Sequence, residues 1–235
     1  MTDTYRIGGR TIRIVSLYEE VHRLCRDYRA DGEPDLTVDT TPSDPDYERG
    51  KTASEWPDAY LETLAVYRRI AERMPDSDTV LMHGSAVALD GEAYLFTAKS
   101  GTGKSTHARL WLEVYGERAF IVNDDKPLVR IAGGGAVVYG TPWNGKHGRG
   151  QNIAVPLKAV CILERAAENH IERITRSEAY PMLVQQTYRP MDGAAMAKTL
   201  FLIDRLASSV SLWKLGCNME TEAARVSYEA MKGSS

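Results

Sequence analysis

Cysteine, long apolar runs and an excess of one charge are all scarce in this sequence, and each scarcity closes off a class of protein. The three cysteines, Cys25, Cys161 and Cys217, are widely spaced. They lack the C-x-x-C pairing or histidine neighbours of a zinc site, and they do not form a disulfide framework. They are expected to be buried thiols in a reducing compartment. No apolar run approaches the ~18 residues of a spanning helix, and no charged-then-apolar leader follows Met1. Neither a transmembrane helix nor a signal peptide is expected, and the expected location is cytoplasmic. A formal net charge of −3 gives no general pull toward nucleic acid or an anionic membrane. Neither is expected as a partner. Internal repeats and low-complexity tracts are absent too.

What is present is an ordinary globular composition, 43% hydrophobic and 26% charged, over 235 residues, enough for one α/β unit with a sizeable core. The chain is organised around residues 93–106, A-Y-L-F-T-A-K-S-G-T-G-K-S-T. Tyr94, Leu95 and Phe96 read as a buried strand, followed by a phosphate-binding loop and then a helix. Ser100, Gly101, Thr102 and Gly103 supply a turn whose N–H groups can face one anion. Lys104 reaches the β- and γ-phosphates in this reading. The Ser105 hydroxyl meets Mg²⁺, and from Thr106 the helix points its positive end at the same phosphates. Ala98 stands where the usual G-x-x-x-x-G-K-[ST] pattern has its first glycine, which is tolerable if that residue keeps a negative φ.

Upstream, residues 5–15 read as a hairpin turning at Gly8-Gly9, and Leu17 to Tyr28 as a helix. Asp31 to Tyr47 reads as a loop holding at most a short strand at Leu36 to Val38. Asp58 to Arg73 reads as an amphipathic helix with Tyr60, Leu64, Tyr67 and Ala71 on its core face, closed by Pro75. Residues 1–75 are therefore expected to form a small α+β flank on a nucleotide-binding unit over 76–235. Residues 79–96 read as two antiparallel strands joined at Asp90-Gly91. His83, in the first of them, has two readings: a satisfied core residue, or a group delivered beside the phosphate loop.

Downstream, two strands flank N-D-D-K-P, and the adjacent Asp124 and Asp125 end the first of them. Carboxylates placed there suit the hard cation that a polyphosphate brings. Residues 140–152, G-T-P-W-N-G-K-H-G-R-G-Q-N, combine glycine with Lys146, His147 and Arg149. That segment reads as mobile until a ligand binds, with Lys146 and Arg149 as the cations for a γ-phosphate or acidic acceptor. Strands follow at Val155 to Leu163 and His170 to Ile174, with helices at Ser177 to Gln186, Ala194 to Leu206 and Glu220 to Met231. A further strand reads at Ser208 to Cys217.

M-H-G-S-A, S-G-T-G-K-S-T and N-D-D, in that order and spacing, resemble the nucleotide site shared by HPr kinase/phosphorylase and ATP-dependent phosphoenolpyruvate carboxykinase. The similarity spans about residues 80–165. It implies an α/β P-loop fold with a mixed or antiparallel central sheet, ATP, and Mg²⁺ or Mn²⁺. It also implies His83 near the metal or the transferred phosphate, Lys104 and Ser105 on the nucleotide, and the paired aspartates on metal and acceptor. The oxyacid-binding arginines of the carboxykinase and the substrate loop and hexamer signature of HPr kinase have no recognisable match. The reading that follows is an ATP-dependent kinase acting on a hydroxyl of a protein, peptide or small molecule. In it Asp124 orients or deprotonates the hydroxyl, Asp125 and Ser105 hold the metal, and Lys104 with Lys146 or Arg149 offsets charge on the moving phosphoryl group. A carboxykinase-like lyase and a non-catalytic ATP-binding module are the alternatives, and a homo-oligomer is left open.

Overall fold

The computed structural model describes residues 1–52, 54–145 and 148–233. Strands β1 (Thr2–Ile7) and β2 (Arg10–Val15) pair antiparallel about Gly8-Gly9, and β3 (Leu36–Asp39) joins β2 in parallel to complete a three-stranded sheet. The helix expected over Leu17 to Tyr28 contracts to α1 (Glu20–Leu24) and a 3-10 turn at Arg26–Tyr28. The reason is a competing partner. The buried Glu62 carboxylate accepts the Leu17 and Tyr18 N–H groups at 2.7 and 2.9 Å, so those amides are satisfied outside a helix. The expected loop after β3 also contains a short helix, α2 (Asp44–Arg49), held by ion pairs from Asp44 to Arg68 and Arg69. Both arginines belong to α3 (Asp58–Arg73), whose bounds are the expected ones. Its core face differs from expectation: Leu61, Ala65, Val66 and Ile70 are fully buried with Tyr67, while Tyr60 stays exposed.

The larger sheet contains β4 (Thr79–Leu81), β5 (Gly84–Leu89), β6 (Glu92–Thr97), β7 (Ala119–Asp125), β8 (Leu128–Ala132), β9 (Gly135–Tyr139) and β10 (Ala154–Arg165) in the order β4-β8-β9-β10-β6-β5-β7. β11 (His170–Arg173) and β12 (Ser211–Cys217) attach through β10. The 12-residue β10 is where the two halves meet. Its first residues pair antiparallel with β9, and the rest runs parallel to β6 on one edge and β12 on the other. The sheet is thus mixed. One expected strand across residues 79–89 is instead two, broken at Met82-His83. There the Met82 N–H goes to the Pro127 carbonyl and the His83 N–H to the Gln186 carbonyl, which takes both out of the ladder.

Side-chain alternation sorts the central strands onto two helical layers. Val87, Leu89, Tyr94, Phe96 and Cys161 share a core with α4 (Lys104–Tyr115) and α7 (Glu222–Met231). Ala86, Ala88, Leu95 and Val160 share another with α5 (Arg176–Gln186) and α6 (Gly193–Ser209). A third apolar cluster joins the N-terminal sheet and α3 to Leu81, Leu128, Tyr139 and Trp143. Cys25 and Cys161 are buried, whereas Cys217 is only half-buried, at the end of the β12 strand; all three are free thiols. No helix among the described residues is long and apolar enough to cross a membrane.

His107, on α4, is 2% exposed, and burial pushes its imidazole down to about 3 from the ordinary 6.5. Between those values the unfolded chain takes up a proton that the folded chain refuses. The stability contribution is therefore complete above pH 6.5 and is lost at about 1.4 kcal/mol per pH unit as pH falls toward 3. Urea unfolding of the wild type and His107→Gln from pH 7 to pH 4 should show the difference between them shrinking by about 3 kcal/mol. Parallel pH profiles would contradict the assignment.

Candidate nucleotide and phosphoryl-transfer site

β6 ends at Thr97, and residues 98–103 turn the chain into α4. Ala98 is fully buried in the core beneath the sheet and keeps a negative φ, since Asp78 and Asp90 are the only described non-glycine residues with positive values. The methyl group thus fits where a glycine was expected. Gly103 takes φ +120° as the N-cap of α4, and no side chain caps this end of the helix. Its first N–H groups and the positive end of the dipole are left for an anion. Lys104 is 8% exposed and folds its Nζ back onto the Ala98 and Lys99 carbonyls at 3.1 and 3.5 Å. Burial lowers its pKa, against which Asp125 and Asp124 act.

Strand register places the acidic pair. Ser85 lies opposite Asp124 and Gly84 opposite Asp125 across β5 and β7. Asp124, 7% exposed, accepts a hydrogen bond from the Ser85 hydroxyl. Asp125 pairs with Lys126 at 2.6 Å and lies 3.6 Å from His83 Nε2. His83 Nδ1–H donates to Gln186 Oε1 at 3.0 Å. Burial and then the nearby Lys104 charge lower the His83 pKa, with Asp125 opposing, so the ring is neutral at pH 7. Of the two readings of His83, the structure places it beside the acidic pair.

Asn123, fully buried, fixes the turn that carries these groups. Its Oδ1 accepts the Asp125 and Lys126 N–H groups at 3.0 and 2.8 Å, and its Nδ2 donates to Thr141 Oγ1 and Asn144 Oδ1 at 3.0 and 2.7 Å. The start of the glycine-rich segment is therefore tied down. At Gly140 a Cβ would fall 1.7 Å from the Gln151 carbonyl oxygen, so only glycine permits that backbone approach. Trp143 stacks on Tyr67 with centroids 4.1 Å apart and donates its indole N–H to the Thr63 carbonyl at 2.9 Å. Hydrogen bonds thus hold both ends of the segment expected to be mobile across Gly140 to Asn152, since Gln151 also donates its N–H to the Val122 carbonyl. Arg149 is exposed and borders a small cavity with Ser105, Thr106, Arg109 and Asp124. Lys146 and His147 lie outside the described residues.

A cleft of about 900 Å³ gathers these parts. The loop after β6 and the start of α4 supply Ser100, Gly101, Gly103, Lys104, Ser105 and Thr106; His83, Ser85, Asp124, Asp125 and Lys126 also line it. Thr102 turns away, with Lys99, into a separate groove. The same cleft is lined by Leu24, Trp56, Tyr60 and Leu64 from the N-terminal part of the chain. Sequence reasoning missed those four, along with Ser85, Lys126 and Gln186. Ser85 and Lys126 carried a signal, being next to recognised motifs; Gln186, on α5, carried none. Among the described residues no group of three or more His, Cys, Asp or Glu could hold a metal alone. Ser105, Asp124 and Asp125 do offer the hard oxygens that Mg²⁺ or Mn²⁺ takes. One or two carboxylates completed by substrate phosphates is the usual Mg²⁺ arrangement, so the residues fit a cation that arrives with a nucleotide.

The family model for SynChlorMet cassette protein ScmC matches residues 52–203, well over half of the chain. A structure of the HPr(Ser) kinase/phosphatase from Coxiella burnetii aligns with 65% of this chain and 99% of its own, at 10% identity and a TM-score of 0.34. No curated protein matches the chain.

Proposed function

We propose that this chain, which belongs to the family of SynChlorMet cassette protein ScmC, is an ATP-dependent kinase that transfers the γ-phosphoryl group to a hydroxyl acceptor. The observation that carries this reading is one cleft holding an uncapped helix N-terminus, a buried lysine and a buried carboxylate oriented by a serine hydroxyl. The three linked sequence motifs support it. The N–H groups at the start of α4 bind the phosphates, and Lys104 moves from the Ala98 carbonyl to the β- and γ-oxygens. Asp124 accepts the hydroxyl proton as the acceptor oxygen bonds to the γ-phosphorus. The bond from that phosphorus to the bridging oxygen breaks, and ADP leaves with the electron pair. Ser105 and Asp125 would hold Mg²⁺, which supplies charge neutralisation on the phosphates. Arg149, which lines a small adjoining cavity with Ser105 and Asp124, adds positive charge there. The Ser85-oriented carboxylate suits removal of a hydroxyl proton rather than binding of a dianionic acid, which favours the kinase over a carboxykinase-like lyase.

ATP binding should therefore depend on the divalent cation. Calorimetric titration with ATP and Mg²⁺ should show binding that weakens at least tenfold when the metal is chelated. Equal affinity with and without the metal, or no binding in either case, would overturn the reading.

A further inference from the structure

We propose that the wall formed by Leu24, Trp56, Tyr60 and Leu64 is the acceptor pocket, and that the acceptor is a peptide whose hydroxyl residue stands next to an apolar or aromatic one. This rests on the kinase reading and names its substrate class. Three chemistries line the cleft: positive charge and N–H groups from the loop after β6, the carboxylates of Asp124 and Asp125, and the apolar side chains Leu24, Trp56, Tyr60 and Leu64. Trp56 and Tyr60 are 46% and 40% exposed, with ring centroids 4.8 Å apart. Exposed aromatic surface lining a cleft marks a contact site more often than it fills a structural need.

Thr63 and Glu20, which also line the cleft, are already engaged: the Thr63 hydroxyl donates to the Tyr60 carbonyl at 2.7 Å, the Thr63 carbonyl accepts from Trp143, and Glu20 is paired with Arg23. Hydrogen bonding is left to the Trp56 indole N–H and the Tyr60 hydroxyl. A polyol could use those two groups but would leave the apolar faces unfilled. Lys126 and Asn144 also line the cleft, so a purely apolar alcohol is a poor match too. An apolar side chain on a polar backbone uses both kinds of surface. The cleft volume, about 900 Å³, is at the upper end for one small ligand and suits a nucleotide together with a short peptide segment. Tyr60 and Leu64 are held in place with α3, which Trp143 ties down through the Tyr67 ring and the Thr63 carbonyl.

The test uses the full chain with Mg²⁺ and a non-hydrolysable ATP analogue. Calorimetry compares N-acetyl-Ser-Phe-amide, N-acetyl-Ser-Gly-amide, glycerol and hexanol. The Ser-Phe probe should bind about tenfold more tightly than the Ser-Gly probe, the worth of burying part of one aromatic side chain. Trp56→Ala and Tyr60→Ala should each erase most of that preference while the affinity for the ATP analogue holds. Equal binding of the two peptides, a preference that survives in both variants, or glycerol or hexanol binding as tightly as Ser-Phe would overturn the proposal. Parallel assays with ATP separate the two readings. Trp56-dependent binding of Ser-Phe without phosphoryl transfer would keep the wall and remove the kinase; transfer to all four acceptors with one KM would keep the kinase and remove the wall.

Discussion

An Asp124→Asn protein is expected to bind ATP as the wild type does and to turn over roughly 10²–10⁴-fold more slowly, the usual worth of general-base assistance. The amide is nearly isosteric with the carboxylate and can still accept from the Ser85 hydroxyl, so the pocket keeps its shape. It cannot take a proton. Asp125→Asn should behave differently, because Asp125 already pairs with the Lys126 ammonium at 2.6 Å and lies 3.6 Å from the His83 ring. Its loss should raise the metal concentration needed for half-maximal activity rather than remove the base. Rates and metal titrations on the two variants check the division of roles. Variants that matched in both would show that the pair does not divide its labour in this way.

Lys104→Ala should remove turnover and weaken ATP binding by at least tenfold. A hydrogen bond to a charged group is worth about 1.5–3 kcal/mol, and Lys104 would make more than one to the phosphates. The present position of Lys104 argues that its role is binding rather than stability. Its ammonium is buried against two loop carbonyls, and burial lowers its pKa, so the folded protein holds that charge at a cost. Lys104→Met, which keeps the apolar stem, should accordingly unfold in urea no earlier than the wild type. Calorimetry on both variants is the measurement. Unchanged ATP affinity and activity in Lys104→Ala would remove the phosphate-loop assignment.

Local sequence made the strand, turn and helix of β6, the following loop and α4 legible because their determinants are local. Asp90 and Gly91 take φ +53° and +85° in the turn between β5 and β6, as an Asp-Gly hairpin requires. Gly101 and Gly103 both take positive φ, and α4 begins at the lysine that follows. What escaped was set by pairing between distant segments. Gln186 reaches His83 from 103 positions away, and no local pattern announces that contact. The break at Met82-His83 depends on carbonyls from Pro127 and Gln186, so an apolar run that looked like one strand became two. β9 begins at the third of three consecutive glycines, and the turn signal masked the short strand they open. The anchoring of the segment from Gly140 required Asn123 and the Trp143–Tyr67 stack. Neither is visible from glycine and charge content alone. Tyr60 was misplaced for a related reason: helical periodicity gives the faces of α3, but the cleft takes one of them at the helix start.

Phosphorus NMR of the full chain with ATP, Mg²⁺ and a serine peptide tests the central claim most directly. The γ-phosphate signal should fall while signals of ADP and of a new phosphomonoester on the peptide rise together, and none of this should occur with Asp124→Asn on the same timescale. ATP that stays intact with every hydroxyl acceptor, or that yields only inorganic phosphate, would contradict it.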